Sequence, residues 1–176
     1  MEMQALMKRK FNTERITFLG LGVAVAMLLS YVEFLLPPLW SAVPGIKIGL
    51  ANIIIVYLFF KSSVTDAALV SLVRLFMSAL LFGSVLTLLY SFAGALLSFS
   101  VMLLLKKSGL FSEVGVSVCG GIFHNLGQIL VAIAVLKTRE IGYYMIVLTF
   151  TGTVAGLFVG IAGALMIKHV DIKKYR

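Results

Sequence analysis

The sequence predicts an all-α integral membrane protein, a bundle of six helices. Apolar residues make up 61% of its 176 residues and charged residues 12%, which is about half of the roughly 25% charged residues usual in soluble domains. The apolar residues form six stretches separated by short groups of Pro, Gly, Ser and Lys. A hydrocarbon core of about 30 Å needs about 20 helical residues per span. We therefore expect a single domain, residues 1–176, without a soluble catalytic domain.

Each span is placed between two breaks in the apolar pattern. The predicted spans are residues 16–36, 48–60, 64–81, 86–105, 114–136 and 141–167. The breaks are Pro and Gly at 37, 38, 44 and 45, Lys-Ser-Ser at 61–63, Gly-Ser at 83–84, a lysine-rich loop at 106–109 and a charged loop at 137–140. The first span is longer than the apolar region of a signal peptide, which indicates an uncleaved helix.

The second span is too short to cross the membrane unaided. Residues 48–60 form only about 20 Å of helix, so they require burial in protein or a thinned bilayer. We predict a short helix that lines a cavity. Its N-terminus, the positive end of the helix dipole, would point from the outside toward the protein interior.

The net charge of +8 indicates a membrane surface rather than a nucleic-acid partner, because the basic residues flank the spans. Eleven fall on one side: Lys8, Arg9, Lys10, Arg15, Lys61, Lys106, Lys107, Lys168, Lys173, Lys174 and Arg176. The other side has only Lys47, Lys137 and Arg139. The positive-inside rule then predicts a multi-pass protein with both termini cytoplasmic, a basic segment at 1–15 and a basic tail at 168–176.

Arg74 is the least expected residue within the spans. A cation near the bilayer centre costs about 2.5 to 3.5 kcal/mol even on the lenient insertion scale, so it must be paired or hydrated. One interpretation is a structural salt bridge between helices. The other, which we favour, is a role in binding a ligand, because ionisable groups inside the membrane usually mark functional sites.

Other polar residues are predicted in the same half of the membrane as Arg74, which indicates a pocket. Glu33 and Lys47 are expected at its rim, either as a surface salt bridge or as the mouth of the pocket. Asn52 lies one turn below Lys47, where lipid could not satisfy its amide. Asp66 follows Ser63 by three residues, and this spacing predicts a structural capping box instead.

His124, Asn125 and Gln128 form a polar cluster in the fifth span. His124 and Gln128 have the i, i+4 spacing that places them on one helix face. They either form hydrogen bonds between helices or line the pocket, and we favour the pocket. One histidine without clustered cysteines or carboxylates predicts no metal site. We predict no cofactor apart from a bound small molecule.

Small residues and missing motifs limit the remaining functions. Stripes at Gly152, Gly156 and Gly160 predict close helix packing; a second pattern, Gly20 with Ala24 and Gly22 with Ala26, indicates packing or a face for another membrane protein. Glycines 120, 121 and 127 would admit a ligand or a neighbouring backbone.

The single Cys119 excludes a disulfide within the chain. The sequence has neither a P-loop nor an H-E-x-x-H motif, so we predict no enzyme and no motor in this chain.

The segments Pro-Gly-Ile-Lys-Ile-Gly-Leu-Ala-Asn at 44–52 and Gly-Gly-Ile-Phe-His-Asn-Leu-Gly-Gln at 120–128, with Glu33 and Arg74, resemble the Gx transporter family, also called heptaprenyl diphosphate synthase component I. That family is similar to the S components of energy-coupling factor transporters of the bacterial cell membrane. The resemblance implies capture of a vitamin-like ligand from outside and docking on a transmembrane T component with two ATPases. Where S components carry an Ala-x-x-x-Ala face, this chain has the two Gly-x-x-x-Ala patterns.

Two alternatives follow from the same resemblance. Some relatives occur in flavin-based extracellular electron-transfer systems, which implies a flavin-related or quinone-related ligand, or a role as a membrane partner of such a system. The synthase name implies an accessory subunit of isoprenoid diphosphate or quinone biosynthesis. Prenyl diphosphate synthases bind magnesium diphosphate through aspartate-rich motifs, whereas Asp66 and Asp171 are the only aspartates here. Our leading hypothesis is a substrate-binding and transport subunit with an outward-facing pocket for a small vitamin-like or anionic molecule.

Overall fold

The computed structural model describes residues 13–36, 48–137 and 139–171. These residues form α1 (Thr13–Leu35), α2 (Asn52–Lys61), α3 (Val64–Phe82), α4 (Val85–Ser108), α5 (Glu113–Leu136), a 3₁₀-helix (Arg139–Tyr144) and α6 (Met145–His169). Within these ranges there are no strands, and five helices, all but α2, are long and apolar enough to cross a membrane. The chain is therefore an all-α membrane bundle, as predicted.

The short helix α2 lies at the centre of the bundle. It packs against α1, α3 and α6, and its six residues from Ile54 to Phe59 are all buried. It begins at Asn52, so the predicted start at residue 48 is wrong. Gly49 has a φ of +79°, a left-handed conformation that cannot continue an α-helix, and residues 50–51 form a turn that is closed by a hydrogen bond from the Asn52 amide to the Gly49 carbonyl.

The remaining helix ends follow local capping rules. The hydroxyls of Ser63, Ser84 and Ser112 each accept a hydrogen bond from the amide three residues later, which satisfies a free donor of the first turn. The predicted structural role of Ser63 and Asp66 is confirmed by the Ser63 cap, although the Asp66 carboxylate bonds Arg15 and Ser62. The last apolar span begins at Gly142, close to the predicted residue 141; its first residues belong to the 3₁₀-helix, and α6 begins at Met145.

Glycines allow α4, α5 and α6 to pack closely. A Cβ built on Gly121 would lie 2.5 Å from the carbonyl oxygen of Gly152, and one on Gly156 would lie 2.7 Å from the Cα of Val118. A Cβ on Gly127 would lie 2.7 Å from the carbonyl oxygen of Ala93 in α4. The predicted packing role of the α6 stripe is confirmed, and Gly121 and Gly127 accommodate a neighbouring backbone.

The two Gly-x-x-x-Ala patterns of α1 lie on different faces. Gly22 is in contact distance of Leu58 and Val70, and Ala26 is fully buried. Gly20 has no neighbour within 4 Å, and Ala24 is exposed. Within the described part of the chain, only the pattern of Gly22 and Ala26 therefore serves packing.

Polar contacts close one end of the bundle, which we call the Asp66 end. Arg15 at the start of α1 forms an ion pair with Asp66, which also accepts a hydrogen bond from Ser62. Lys61 donates to the carbonyl oxygen of Ile167 in α6 at 3.0 Å. Lys106 of α4 donates to the carbonyl oxygen of Phe59. These contacts join the ends of α1, α2, α3, α4 and α6.

Candidate ligand-binding site

A chamber of about 440 Å³ lies at the opposite end of the bundle, the Glu33 end. Residues of α1 and α3 form one wall and residues of α4 and α5 the other. Its volume is within the range of pockets that bind small molecules. The polar lining residues are Ser30, Glu33, Asn52, Arg74, Ser78, Thr87, Ser91, His124, Asn125 and Gln128. Six of the seven residues predicted for the pocket are thus brought together.

A smaller chamber of about 90 Å³ adjoins the first. Both chambers are lined by Gly49, Asn52, Arg74, His124 and Asn125. The smaller chamber extends to residues nearer the Asp66 end, among them Ser98, Met102 and Ser117. Four of the seven predicted residues, Asn52, Arg74, His124 and Asn125, therefore lie where the two chambers meet.

Arg74 has few partners for a buried cation. One terminal nitrogen lies 3.5 Å from the hydroxyl of Ser30 and the other 3.5 Å from the amide oxygen of Asn52, which is the weak limit of hydrogen bonding. Its Nε is buried and has no hydrogen-bond partner among the described residues. In the same part of the chain no carboxylate lies within ion-pair distance of Arg74, whereas Arg15 pairs with Asp66. The guanidinium, with five donors, thus has only weak hydrogen bonds to the described residues, and it lines the chamber.

Glu33 and Gly49 meet at the beginning of α2. The amide of Gly49 donates to the Glu33 carboxylate at 2.5 Å. Lys47, the predicted partner of Glu33, lies outside the described residues, so the predicted pairing stays a prediction. Gly49 and Asn52 both line the large chamber, so the N-terminus of α2, with its positive dipole end, is at the chamber wall.

The polar cluster of α5 has a mixed arrangement. The side chains of His124 and Gln128 are 3.2 Å apart, as expected from their spacing, and both line the large chamber. The Nδ2 group of Asn125 donates to the carbonyl oxygen of Leu148 in α6 at 2.7 Å. Asn125 therefore combines a hydrogen bond between helices with a position on the chamber wall.

Several lining residues were not predicted. Ser30 precedes Glu33 by one helical turn, and Ser78 follows Arg74 by four residues, so helical spacing was a usable signal for both. Phe34 and Phe82 had no such signal, because phenylalanine is ordinary in lipid-facing helices. Among the described residues there is no group of three His, Cys, Asp or Glu side chains able to hold a metal ion.

Comparison with known proteins assigns the chain to a protein family. No curated protein and no solved structure matches the chain. The family described as heptaprenyl diphosphate synthase component I matches residues 23–166. The matched segment contains every residue predicted for the pocket, and it covers most of the chain. The chain therefore belongs to the heptaprenyl diphosphate synthase component I family, as its resemblance predicted.

Proposed function

We propose that this protein binds a small anionic molecule in the large chamber as the membrane-embedded binding subunit of a transport system. The observation that carries the proposal is Arg74, a cation that lines the chamber with two weak hydrogen bonds and a buried Nε without a described partner. Inside a membrane such a charge is costly unless a ligand or water compensates it. A ligand with a negative or strongly electron-rich group would satisfy it.

The surroundings of Arg74 support the same ligand chemistry. The N-terminus of α2 adds positive potential at the chamber wall. Asn52, His124 and Gln128 provide donors and acceptors that fix orientation. The neighbouring acidic residue, Glu33, has its carboxylate engaged by the Gly49 amide. The chamber thus combines a cation that has no carboxylate within ion-pair distance among the described residues, the Glu33 carboxylate farther away, and several neutral hydrogen-bonding groups.

Under this proposal the chamber opens to the outside. The basic residues concentrate at the Asp66 end, including Arg15, Lys61 and Lys106, which the positive-inside rule assigns to the cytoplasm of the cell. The sequence has no P-loop, so energy for transport would come from partner proteins. A transmembrane T component with two ATPases would provide it.

The test is to identify the ligand that accompanies the protein. Wild-type, Arg74→Gln and Lys107→Gln proteins are purified in parallel, and bound small molecules are quantified by mass spectrometry. Lys107 is exposed at the end of α4, so its variant matches the lost charge without touching the chamber. We expect an anionic ligand in the wild-type and Lys107→Gln proteins and at least a tenfold loss with Arg74→Gln. Equal ligand content in a folded Arg74→Gln protein would refute the proposal.

The family description favours a second candidate, a membrane component of a heptaprenyl diphosphate synthase. A heptaprenyl chain of seven five-carbon units is a long apolar chain, whereas many polar side chains line the large chamber. Its diphosphate would therefore lie in the chamber and its tail would leave the chamber for the lipid. Reconstitution with a catalytic prenyl synthase subunit tests this role. Faster formation of the long-chain product when the protein is present, and not with Arg74→Gln, would favour it over transport.

A further inference from the structure

The large chamber has an aromatic side that the polar residues do not explain. Phe34 of α1 and Phe82 of α3 both line it, and their rings stack with centroids 5.3 Å apart and planes 24° from parallel. Phe34 is 51% exposed, so about half of its surface is free of contacts with the described residues. Tyr31 touches Phe82 with centroids 5.5 Å apart, but Tyr31 is not part of the chamber lining.

The aromatic and cationic sides are arranged along one helix. Arg74, Ser78 and Phe82 are four residues apart on α3 and all line the chamber. Eight residues correspond to about 12 Å along a helix axis. A molecule lying along α3 would therefore place one end near a cation and the other near a ring stack, with a hydroxyl between them.

These two ends select different chemical groups. The Arg74 end favours an anionic group, as the proposed function requires. The Phe34 and Phe82 rings favour a flat aromatic group, because ring faces and edges have complementary charge distributions that saturated rings lack. The volume of about 440 Å³ limits the whole ligand to a small molecule.

We propose that the ligand of the large chamber is a small aromatic anion, with its charged group at Arg74 and its ring against Phe34 and Phe82. This inference rests on the proposed function and specifies its substrate class. It assigns recognition of the ring to Phe82 and Phe34, whereas Tyr31 contributes only to packing between α1 and α3.

Three matched probes test the class on the purified protein in lipid nanodiscs. The probes are 4-phenylbutyrate, 4-cyclohexylbutyrate, which keeps the charge but lacks the aromatic ring, and 4-phenylbutanamide, which keeps the ring but lacks the charge. Binding is measured by calorimetry, with empty nanodiscs subtracted to remove partition into lipid. We expect 4-phenylbutyrate to bind at least fivefold more tightly than either of the other probes.

Variants of the protein show which side chains cause the preference for the aromatic acid. Phe82→Leu should abolish the advantage of the phenyl over the cyclohexyl acid, while Tyr31→Leu, which changes a ring outside the chamber, should preserve it. Arg74→Gln should weaken both acids and leave the amide unchanged. If Phe82→Leu fails to fold, Phe34→Leu and the comparison of probes on the wild-type protein still decide the question.

The outcomes separate the two proposals. Equal binding of both acids with retained dependence on Arg74 would overturn the aromatic class and leave the anion-binding function intact. The same conclusion would follow if no probe binds and the anionic ligand that accompanies the purified wild-type protein has no aromatic ring. Acids that bind equally well to the wild-type and Arg74→Gln proteins would overturn the proposed function itself, and the aromatic class with it.

Discussion

The Glu33 carboxylate accepts a hydrogen bond from the backbone amide of Gly49, and this contact joins the end of α1 to the turn that begins α2. Gly49 also has a left-handed φ, three residues before the helix begins at Asn52. The two residues together fix the edge of the large chamber, which both of them line. One oxygen of the Glu33 carboxylate at the chamber wall thus accepts a hydrogen bond from the backbone.

The first prediction concerns this contact. Glu33→Leu should lower the free energy of unfolding by about 1 to 3 kcal/mol, because the partly buried Gly49 amide loses its acceptor. Glu33→Gln keeps an acceptor oxygen and should cost less than half as much. Thermal unfolding in one detergent compares the variants. Equal losses would show that the negative charge, rather than the acceptor, matters.

The second prediction concerns the conformation of Gly49. Gly49→Ala should cost about 1 to 2 kcal/mol, because an L-residue is disfavoured at φ +79°. Its Cβ would also lie 3.0 Å from the Asn52 side chain. Gly109→Ala is the matched control, with a φ of +68° and no neighbour within 4 Å. Chemical unfolding of both should show a larger loss for Gly49→Ala, and a larger loss for Gly109→Ala would contradict the contact with Asn52.

The third prediction concerns the interface of α5 and α6. Gly121→Ala should destabilise the protein by about 1 to 3 kcal/mol, because its Cβ would lie 2.5 Å from the carbonyl oxygen of Gly152, a backbone atom that cannot move alone. Gly20→Ala, which adds a methyl group into open space, should be neutral or slightly stabilising, since alanine favours helix. Melting temperatures test the pair. A neutral Gly121→Ala would mean that the two helices are not in close contact.

The fourth prediction separates binding from stability in α5. His124→Leu and Gln128→Leu should lower ligand affinity about five- to a hundredfold, because a polar ligand group left unpaired costs about 1 to 3 kcal/mol. Melting temperatures should change little, since a polar contact between membrane helices contributes about 0.6 kcal/mol on average. The ligand identified by mass spectrometry provides the affinity measurement. A collapsed melting temperature with unchanged affinity would place these residues in the packing core.

The fifth prediction concerns orientation. In a protein with Cys119 replaced by Ser, a cysteine at Lys137 should react with an impermeant maleimide on intact cells. A cysteine at Ser108, at the opposite end of the bundle, should react only after the cells are permeabilised. We expect this labelling pattern because most basic residues lie at the Ser108 end, which the positive-inside rule assigns to the cytoplasm. The reverse pattern of labelling would place the large chamber on the cytoplasmic side.

The sequence was sufficient to find the residues that are costly in lipid. Arg74, Asn52, His124 and Asn125 stand out in any membrane helix because their polar groups need partners there, and all four lie where the chambers meet. Their role in binding and the single-domain organisation remain predictions.

Other features depended on contacts that the sequence does not reveal. Ser30 and Ser78 were missed because a serine in a helix can bond to its own backbone. The start of α2 was misplaced because Gly49, which contacts Glu33, has a left-handed φ that an α-helix cannot contain. The glycines of α5 had two interpretations, and only the approach of α6 distinguishes them.

The length of α2 has a consequence for biogenesis. At about 15 Å it covers half of a hydrocarbon core of about 30 Å, and its first turn has no side-chain cap. In lipid its end groups would lack hydrogen-bond partners, so α2 cannot insert as an independent unit. It is held by α6, through Lys61 and Ile167 and through the contact of Val56 with Gly163. The second helix to leave the ribosome therefore completes its contacts only after the last one has been synthesised.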